Sequence, residues 1–382
     1  MPWKETDTMH QRLLFTADYD KQIYSMTELC ERYGISRKTG YKWLSRYQQQ
    51  GLSGLLNQSK APNSCPHRTP EELNQRLLEL KRQHPKWGAK KLLAILKKRD
   101  SQTHWPAVTT VQDLLQRNGL TQQHTKRRKT NHPWQKLPDV TAPNDVWATD
   151  LKGEFPTQDG KLCYPLTVTD SYSRYHIGCQ GLLGTGQQGT FEVFERLFRE
   201  YGLPKILLSD NGVPFASNAI HGLSQLNVWW LKLGIVPLRI MPGRPDQNGR
   251  HERMHRTLKA HTARPPQKDR ETQQKAFDEF RQEYNHVRPH EALEMETPAS
   301  FYKVCERIYT RETPEVEYPG HFITRKVQTD GSILFQQKKV FLSRTLGGEH
   351  IGMEEVEDGI WSVSFSTMLL GRYSEGKKQF FP

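Results

Sequence analysis

Ile206-Leu207-Leu208-Ser209-Asp210-Asn211-Gly212 is a short apolar run that ends in a carboxylate and two strong turn residues. A run of this length closed by Asn-Gly predicts a buried strand with Asp210 at its carboxyl end. Val146-Trp147-Ala148-Thr149-Asp150 ends in the same way. Around them, strand-like segments at 145–152, 162–170, 175–181 and 235–241 alternate with helical patterns at 187–201, 217–233, from 249 onward, and at 271–285. That alternation predicts an α/β core over 141–303, and α/β sheets place their sites at the carboxyl ends of strands.

A third acid completes the set. Glu252 lies in the first turns of the helix that follows Pro242-Gly243-Arg244-Pro245-Asp246-Gln247-Asn248-Gly249, a loop rich in breakers and caps. Arg256 and Lys259 stand four and seven positions on, within about 40° of Glu252 around the helix, and so share its face. Clustered carboxylates raise one another's pKa, and a divalent cation removes that penalty. Oxygen donors without His or Cys suit Mg2+ or Mn2+. Two such ions about 3.5–4 Å apart can clamp the attacking and leaving oxygens of an in-line phosphoryl transfer. The expected catalytic and metal-binding set is therefore Asp150, Asp210 and Glu252, with two ions per site. Each acid also has an ordinary reading: Asp210 as a tight turn, and Glu252 as a first-turn residue favouring the helix dipole or pairing with Arg256.

Charge points to a polyanion. Residues 1–140 hold 25 Lys and Arg against 12 Asp and Glu, while 141–382 hold 30 of each, so the net +13 of the 382-residue chain sits entirely in the first part. Nucleic acid is the obvious partner. Residues 26–33, the Gly34-Ile35-Ser36 break and residues 37–50 read as helix-turn-helix, with Ser36 as the cap of the second helix. Arg37, Lys38 and Lys42 then stand where a recognition helix meets DNA. A Gly/Pro/Ser/Asn linker over 51–69 separates this domain, 1–55, from a second helical, helix-turn-helix-like domain over 70–122. Lys126-Arg127-Arg128-Lys129 follows as a basic linker, readable as phosphate contact or as a solvated charge run. From 318 to 380 the pattern turns to short strands with Asp330-Gly331, Asp358-Gly359 and Gly371 as turns, and predicts a small β-barrel.

A mean hydropathy of −0.79 and the lack of any apolar run near about 18 residues exclude a membrane span. Residues 1–11 lack a signal-peptide core, so a cytosolic protein, nucleoid-associated when bound to DNA, is expected. Five scattered cysteines with no Cys-x-x-Cys pair exclude a disulfide framework and a cysteine zinc site.

At 145–150, 168–175, 208–212 and 247–253 the sequence resembles the integrase core of the DDE transposase and retroviral integrase superfamily. The stretch Tyr284-Asn285-His286-Val287-Arg288-Pro289-His290-Glu291-Ala292-Leu293, with Thr297-Pro298, resembles the segment closing that core in bacterial insertion-sequence transposases. The resemblance implies a multidomain protein: helix-turn-helix domains, a central RNase H-like catalytic core and a C-terminal barrel. It also implies magnesium dependence, the triad Asp150, Asp210 and Glu252, and cleavage of transposon ends followed by strand transfer. Lys259 becomes a DNA-contacting residue, joined by Arg250, Arg253 and Arg256, and Asp170 takes a structural role on the second strand. Binding two double-stranded DNA ends together implies a homo-oligomer on DNA. The alternatives are an RNase H-like nuclease without strand transfer and a regulatory or catalytically decayed DNA-binding protein. One departure stands out: 41 residues separate Asp210 from Glu252 where the family has nearer 35, and the extra length falls around Val228-Trp229-Trp230-Leu231-Lys232-Leu233, whose tryptophans read as core.

Overall fold

The structure, a computed structural model, describes residues 7–58, 68–121, 139–151, 153–241, 249–377 and 379–381. The basic run at 126–129 and the loop 242–248 lie outside the described residues. Two compact units divide the chain at Pro70.

The first unit contains α1 (Thr8–Asp20), α2 (Met26–Arg32) and α3 (Arg37–Gln50). Ser25 and Glu28 cap α2 reciprocally, and the Ser36 hydroxyl accepts from the Thr39 amide at the start of α3. Gly34 makes the intervening turn at φ 63°. Phe15, Leu29, Cys30 and Leu44 form the core. Close packing of α2 on α3 requires Gly40, since a Cβ there would stand 2.7 Å from Cys30 Sγ.

The second unit begins with α4 (Glu71–Gln83), α5 (Ala89–Arg99) and α6 (Val108–Arg117). Their apolar faces meet around Leu77, Trp87, Leu92, Leu96, Trp105 and Val111. The basic face of α5 is turned partly onto the α/β core, where Lys90 pairs with Glu291 and Lys98 with Glu296 at 2.9 Å.

The core sheet holds β1 (Val146–Leu151), β2 (Phe155–Pro156), β3 (Leu162–Asp170), β4 (His176–Leu182), β5 (Ile206–Ser209) and β6 (Val236–Arg239). The order is β2-β3-β1-β5-β6, with β4 also on β3. Strands β1, β5 and β6 are parallel, while β3 runs antiparallel to β1 and β4. This mixed connectivity agrees with the expected integrase-like α/β core. Helices α7 (Gln187–Tyr201), α8 (Gln225–Lys232), α9 (Gly249–Thr262) and α10 (Arg270–Gln282) accompany it. Trp147, Phe194, Phe198 and Trp230 are buried outright in its main cluster, each contributing about 1.5–3 kcal/mol of transfer free energy.

The edge of β4 is sealed by side-chain amides. Gln274 of α10 bonds to Gly181 N and Cys179 O. Asn285, just past α10, bonds to both backbone groups of His176. Asp170 closes the β3–β4 turn, accepting from the Ser173 amide and hydroxyl and from Asn144 N.

Two expectations change. The helix expected over 217–233 is shorter: a 3-10 turn at Ile220–Gly222, with His221 at φ 49°, precedes α8. The barrel expected over 318–380 does not close among the described residues. Strands β7 (Ile323–Lys326), β10 (His350–Glu357), β11 (Ile360–Phe365), β12 (Met368–Ser374) and β13 (Gln379–Phe381) form an open antiparallel sheet in the order β13-β12-β11-β10-β7. The pair β8 (Ser332–Phe335) and β9 (Lys338–Phe341) forms a separate hairpin. Instead of curling onto itself, the sheet buries its apolar face against α8. Leu223, Val228 and Leu231 enter the same cluster as Val327, Ile351, Val363 and Phe365. Lys232 pairs with Glu349 at 2.9 Å, and His221 Nε2 bonds to the Leu370 carbonyl.

Candidate active site

The sheet brings two of the expected acids level. Val146 pairs with Ile206 and Ala148 with Leu208 across parallel β1 and β5. Continuing that register two residues places Asp150 opposite Asp210, on strands about 4.8 Å apart. Asp150 is half-buried. Asp210 begins the turn after β5, and its Oδ1 accepts from Gly212 N at 3.1 Å.

Helix α9 supplies the third acid and crosses beside β1. Its buried face carries His251, Met254, His255 and Leu258, and its exposed face carries Glu252, Arg253, Arg256 and Lys259. A cleft of about 630 Å³ is lined by Asp150, Glu252, Arg253, His255, Arg256, Lys259 and Arg264. Asp150 and Glu252 thus open onto one cavity with four cations; Asp210 is not among its lining residues. Arg250 lies at the start of α9, exposed, with Nη1 donating to the Ser171 carbonyl at 3.3 Å. Arg37, Lys38 and Lys42 are exposed along the first half of α3, together with Tyr41. Arg12, Lys42 and Arg46 gather over the Trp43 ring.

A threonine anchors α9. Thr167 on β3 donates its hydroxyl proton to the Asp150 carbonyl at 3.1 Å. The same oxygen bonds His251 Nε2 at 2.7 Å and His255 Nε2. A hydroxyl has one proton and two lone pairs, so both rings present N–H to it. The other nitrogen of His251 meets Thr169 Oγ1 at 2.9 Å, and Nδ1 of His255 faces Asp150 Oδ2 at 3.4 Å. Sequence reasoning passed over these histidines. The signal was their spacing of four around the catalytic candidate, as His251-Glu252-Arg253-Met254-His255.

That pentapeptide matches the His-Glu-x-x-His pattern of zinc-binding helices, and Asp150, His251 and His255 stand close enough to share an ion. The bonding argues for a tether instead, because both nitrogens of His251 are committed to threonine hydroxyls and both rings are buried. The donors left facing the cleft are the oxygens of Asp150 and Glu252, which suit a hard cation. Asp210, just beyond the carboxyl end of β5 beside β1, is a further oxygen donor next to these strand ends.

The integrase core domain family matches residues 140–245 and, through a second description of that core, 233–298. Homeodomain-like families match 11–56 and 39–115. An uncharacterized 39.2 kDa protein of insertion element IS476 from Xanthomonas euvesicatoria is 25% identical over 279 residues, spanning 71% of this chain and 76% of its own length. An uncharacterized 31.7 kDa protein of IS407 from Burkholderia multivorans is 25% identical over 254 residues, spanning 65% and 87%. The HTLV-2 integrase catalytic core, solved with magnesium, is 15% identical with a TM-score of 0.33, covering 42% of this chain and 98% of that one. Integrase core, homeodomain-like segments and insertion-element relatives together support an insertion-sequence transposase of the integrase superfamily.

Proposed function

We propose that this transposase cuts the ends of its own element and joins the freed 3′-hydroxyls to target DNA. The observation carrying the reading is the single cleft in which Asp150 and Glu252 meet Arg253, Arg256, Lys259 and Arg264. Acids among cations at the carboxyl ends of central strands serve a substrate that is itself a polyanion. Asp150, Asp210 and Glu252 would hold Mg2+ or Mn2+, two ions per site. The chemistry supplied by such ions is activation of the attacking oxygen and relief of charge on the leaving oxygen.

The rest falls to this chain's side chains. Arg256 and Lys259, on the Glu252 face, hold the phosphates flanking the scissile bond. Thr167 and the two histidines fix α9 against β1, so Glu252 keeps its position relative to Asp150. Arg37, Lys38 and Lys42 on α3 contact the element end, with the four cations at 126–129 adding phosphate contacts. Double-stranded DNA, both element ends and target, is the partner, and a homo-oligomer brings two ends together. No described helix is long and apolar enough to cross a membrane.

The test compares wild type with Glu252→Gln on DNA bearing the element's terminal repeats, with and without magnesium. The variant keeps shape and loses the ligand charge. Wild type should cut and join while the variant binds the same DNA and does neither. Binding by both proteins with reaction by neither would overturn the reading and leave a regulatory DNA-binding protein. Cutting without joining, even from pre-cut ends, would leave a nuclease.

A further inference from the structure

Two guanidinium groups converge beside the N-terminus of α9, and Asp170, whose oxygens are taken up by Ser173 and Asn144, is the carboxylate that acts on Arg174 from nearby among the described residues. Arg174, in the β3–β4 turn at φ 65°, donates through Nη1 to the Ser171 carbonyl at 2.8 Å. Arg250, the second residue of α9, donates through its own Nη1 to the same oxygen at 3.3 Å. One neutral carbonyl does not offset two full charges. Among the described residues, no carboxylate lies within ion-pair distance of Arg174, Arg250 or Arg253. Burial, and then repulsion from Arg250 and Arg253, pulls Arg174 down to about 10. The fold thus holds like charges together with one of them desolvated, which disfavours the empty site and is relieved by a bound anion.

Place decides which anion. Arg253 lines the Glu252 cleft and stands close enough to Arg174 to repel it, so the pair Arg174 and Arg250 adjoins that cleft. On the other side Arg288 lies over the Tyr284 ring at 6.0 Å and close enough to Lys91 of α5 to repel it. Glu283 and Glu291 offset part of that repulsion at Lys91, so the excess positive charge is concentrated at Arg174, Arg250 and Arg253 beside the cleft. We propose that Arg174 and Arg250 clamp one backbone phosphate of the DNA strand that enters the Glu252 cleft, fixing which phosphodiester reaches the carboxylates. Guanidinium forks match non-bridging phosphate oxygens, whereas lysine offers only a point charge. The clamp rests on the DNA-processing reading above.

The test uses the full-length protein without divalent metal, so that no reaction is needed. Binding to terminal-repeat duplex is titrated against salt for wild type, Arg250→Gln, Arg174→Lys and the Arg174→Gln/Arg250→Gln double variant. Losing one phosphate contact should flatten the plot of log K against log salt by about 0.9 in the double variant. Arg174→Lys should keep the slope and weaken binding. A wild-type slope in the double variant, with only a lower melting temperature, would overturn the clamp and leave a brace for the β3–β4 turn. Should the double variant fail to fold, exposed Arg250→Gln decides alone, because an unchanged slope there also overturns the proposal. A flattened slope in a protein that never cuts DNA keeps the clamp and removes the transposition reading; cutting with an unchanged slope does the reverse.

Discussion

Replacing Thr167 by valine removes one hydroxyl and keeps the shape. In the folded protein that hydroxyl meets the Asp150 carbonyl, half-buried, and the buried Nε2 atoms of His251 and His255. Valine leaves two ring N–H groups without an acceptor, and a buried orphaned donor costs about 1–3 kcal/mol. Two of them, softened by some ring rotation, give a loss of about 3 kcal/mol. Thr149 is the internal control. It is equally buried, one residue from Asp150 on β1, and its Oγ1 has no hydrogen-bond partner among the described residues. Thr149→Val removes a polar atom that burial penalises and should be neutral or stabilising by up to about 1 kcal/mol. Native-state hydrogen exchange on β1 and β3 reads the opening free energy of this sheet apart from the other domains. The variants should separate by about 3–4 kcal/mol with Thr167→Val the weaker, following the same orphaned-donor costs. Equal opening free energies would refute the hub, and α9 would then be held by apolar packing alone.

The other predictions concern charge and docking. Burial alone would raise the Asp145 carboxyl, but bonds from Lys205, Thr141 and Ala142 bring it down to about 2. A depressed carboxylate stabilises fully above its unfolded value, near pH 4, and loses that contribution as pH falls through about 2. Asp145→Asn should therefore melt below wild type at pH 7, with the gap closing toward pH 2; a gap constant with pH would rule out the charged partnership. Leu231 is buried in the cluster shared by α8 and the C-terminal sheet, so Leu231→Ala should cost about 2–4 kcal/mol there. Limited proteolysis should then cut more readily within 303–322, and an unchanged pattern would mean that the sheet holds by other contacts.

Most of the core was legible because its signals are local. Helix α7 spans 187–201 as its periodicity predicts, and β1, β3 and β5 are apolar runs whose turn residues mark their ends. Asp150 and Glu252 were visible as the ends of punctuated segments, and Arg256 and Lys259 share the Glu252 cleft as helical spacing predicts. What stayed hidden depends on partners far along the chain. The histidines of α9 looked like ordinary helix residues, because Thr167 and Thr169, which define their role, lie more than 80 positions earlier. Turn residues announced the C-terminal strands, but closure is decided by what the sheet packs on, and α8 took that place. The helix expected from 217 starts late because Ser217–Leu223 bonds across its own loop instead of continuing helically. Arg174 carried no local sign of convergence with Arg250, since one turn and one helix start meet only after folding.

The seam between α8 and the C-terminal sheet also bears on partial chains. A polypeptide ending near residue 317 would retain Asp150, Asp210 and Glu252 yet leave Leu223, Val228 and Leu231 bare. A contiguous apolar patch of that kind draws molecules together unspecifically. Shortened chains of this kind would expose that patch to self-association, and the last 60 or so residues serve the α/β core as a cover as well as a sheet.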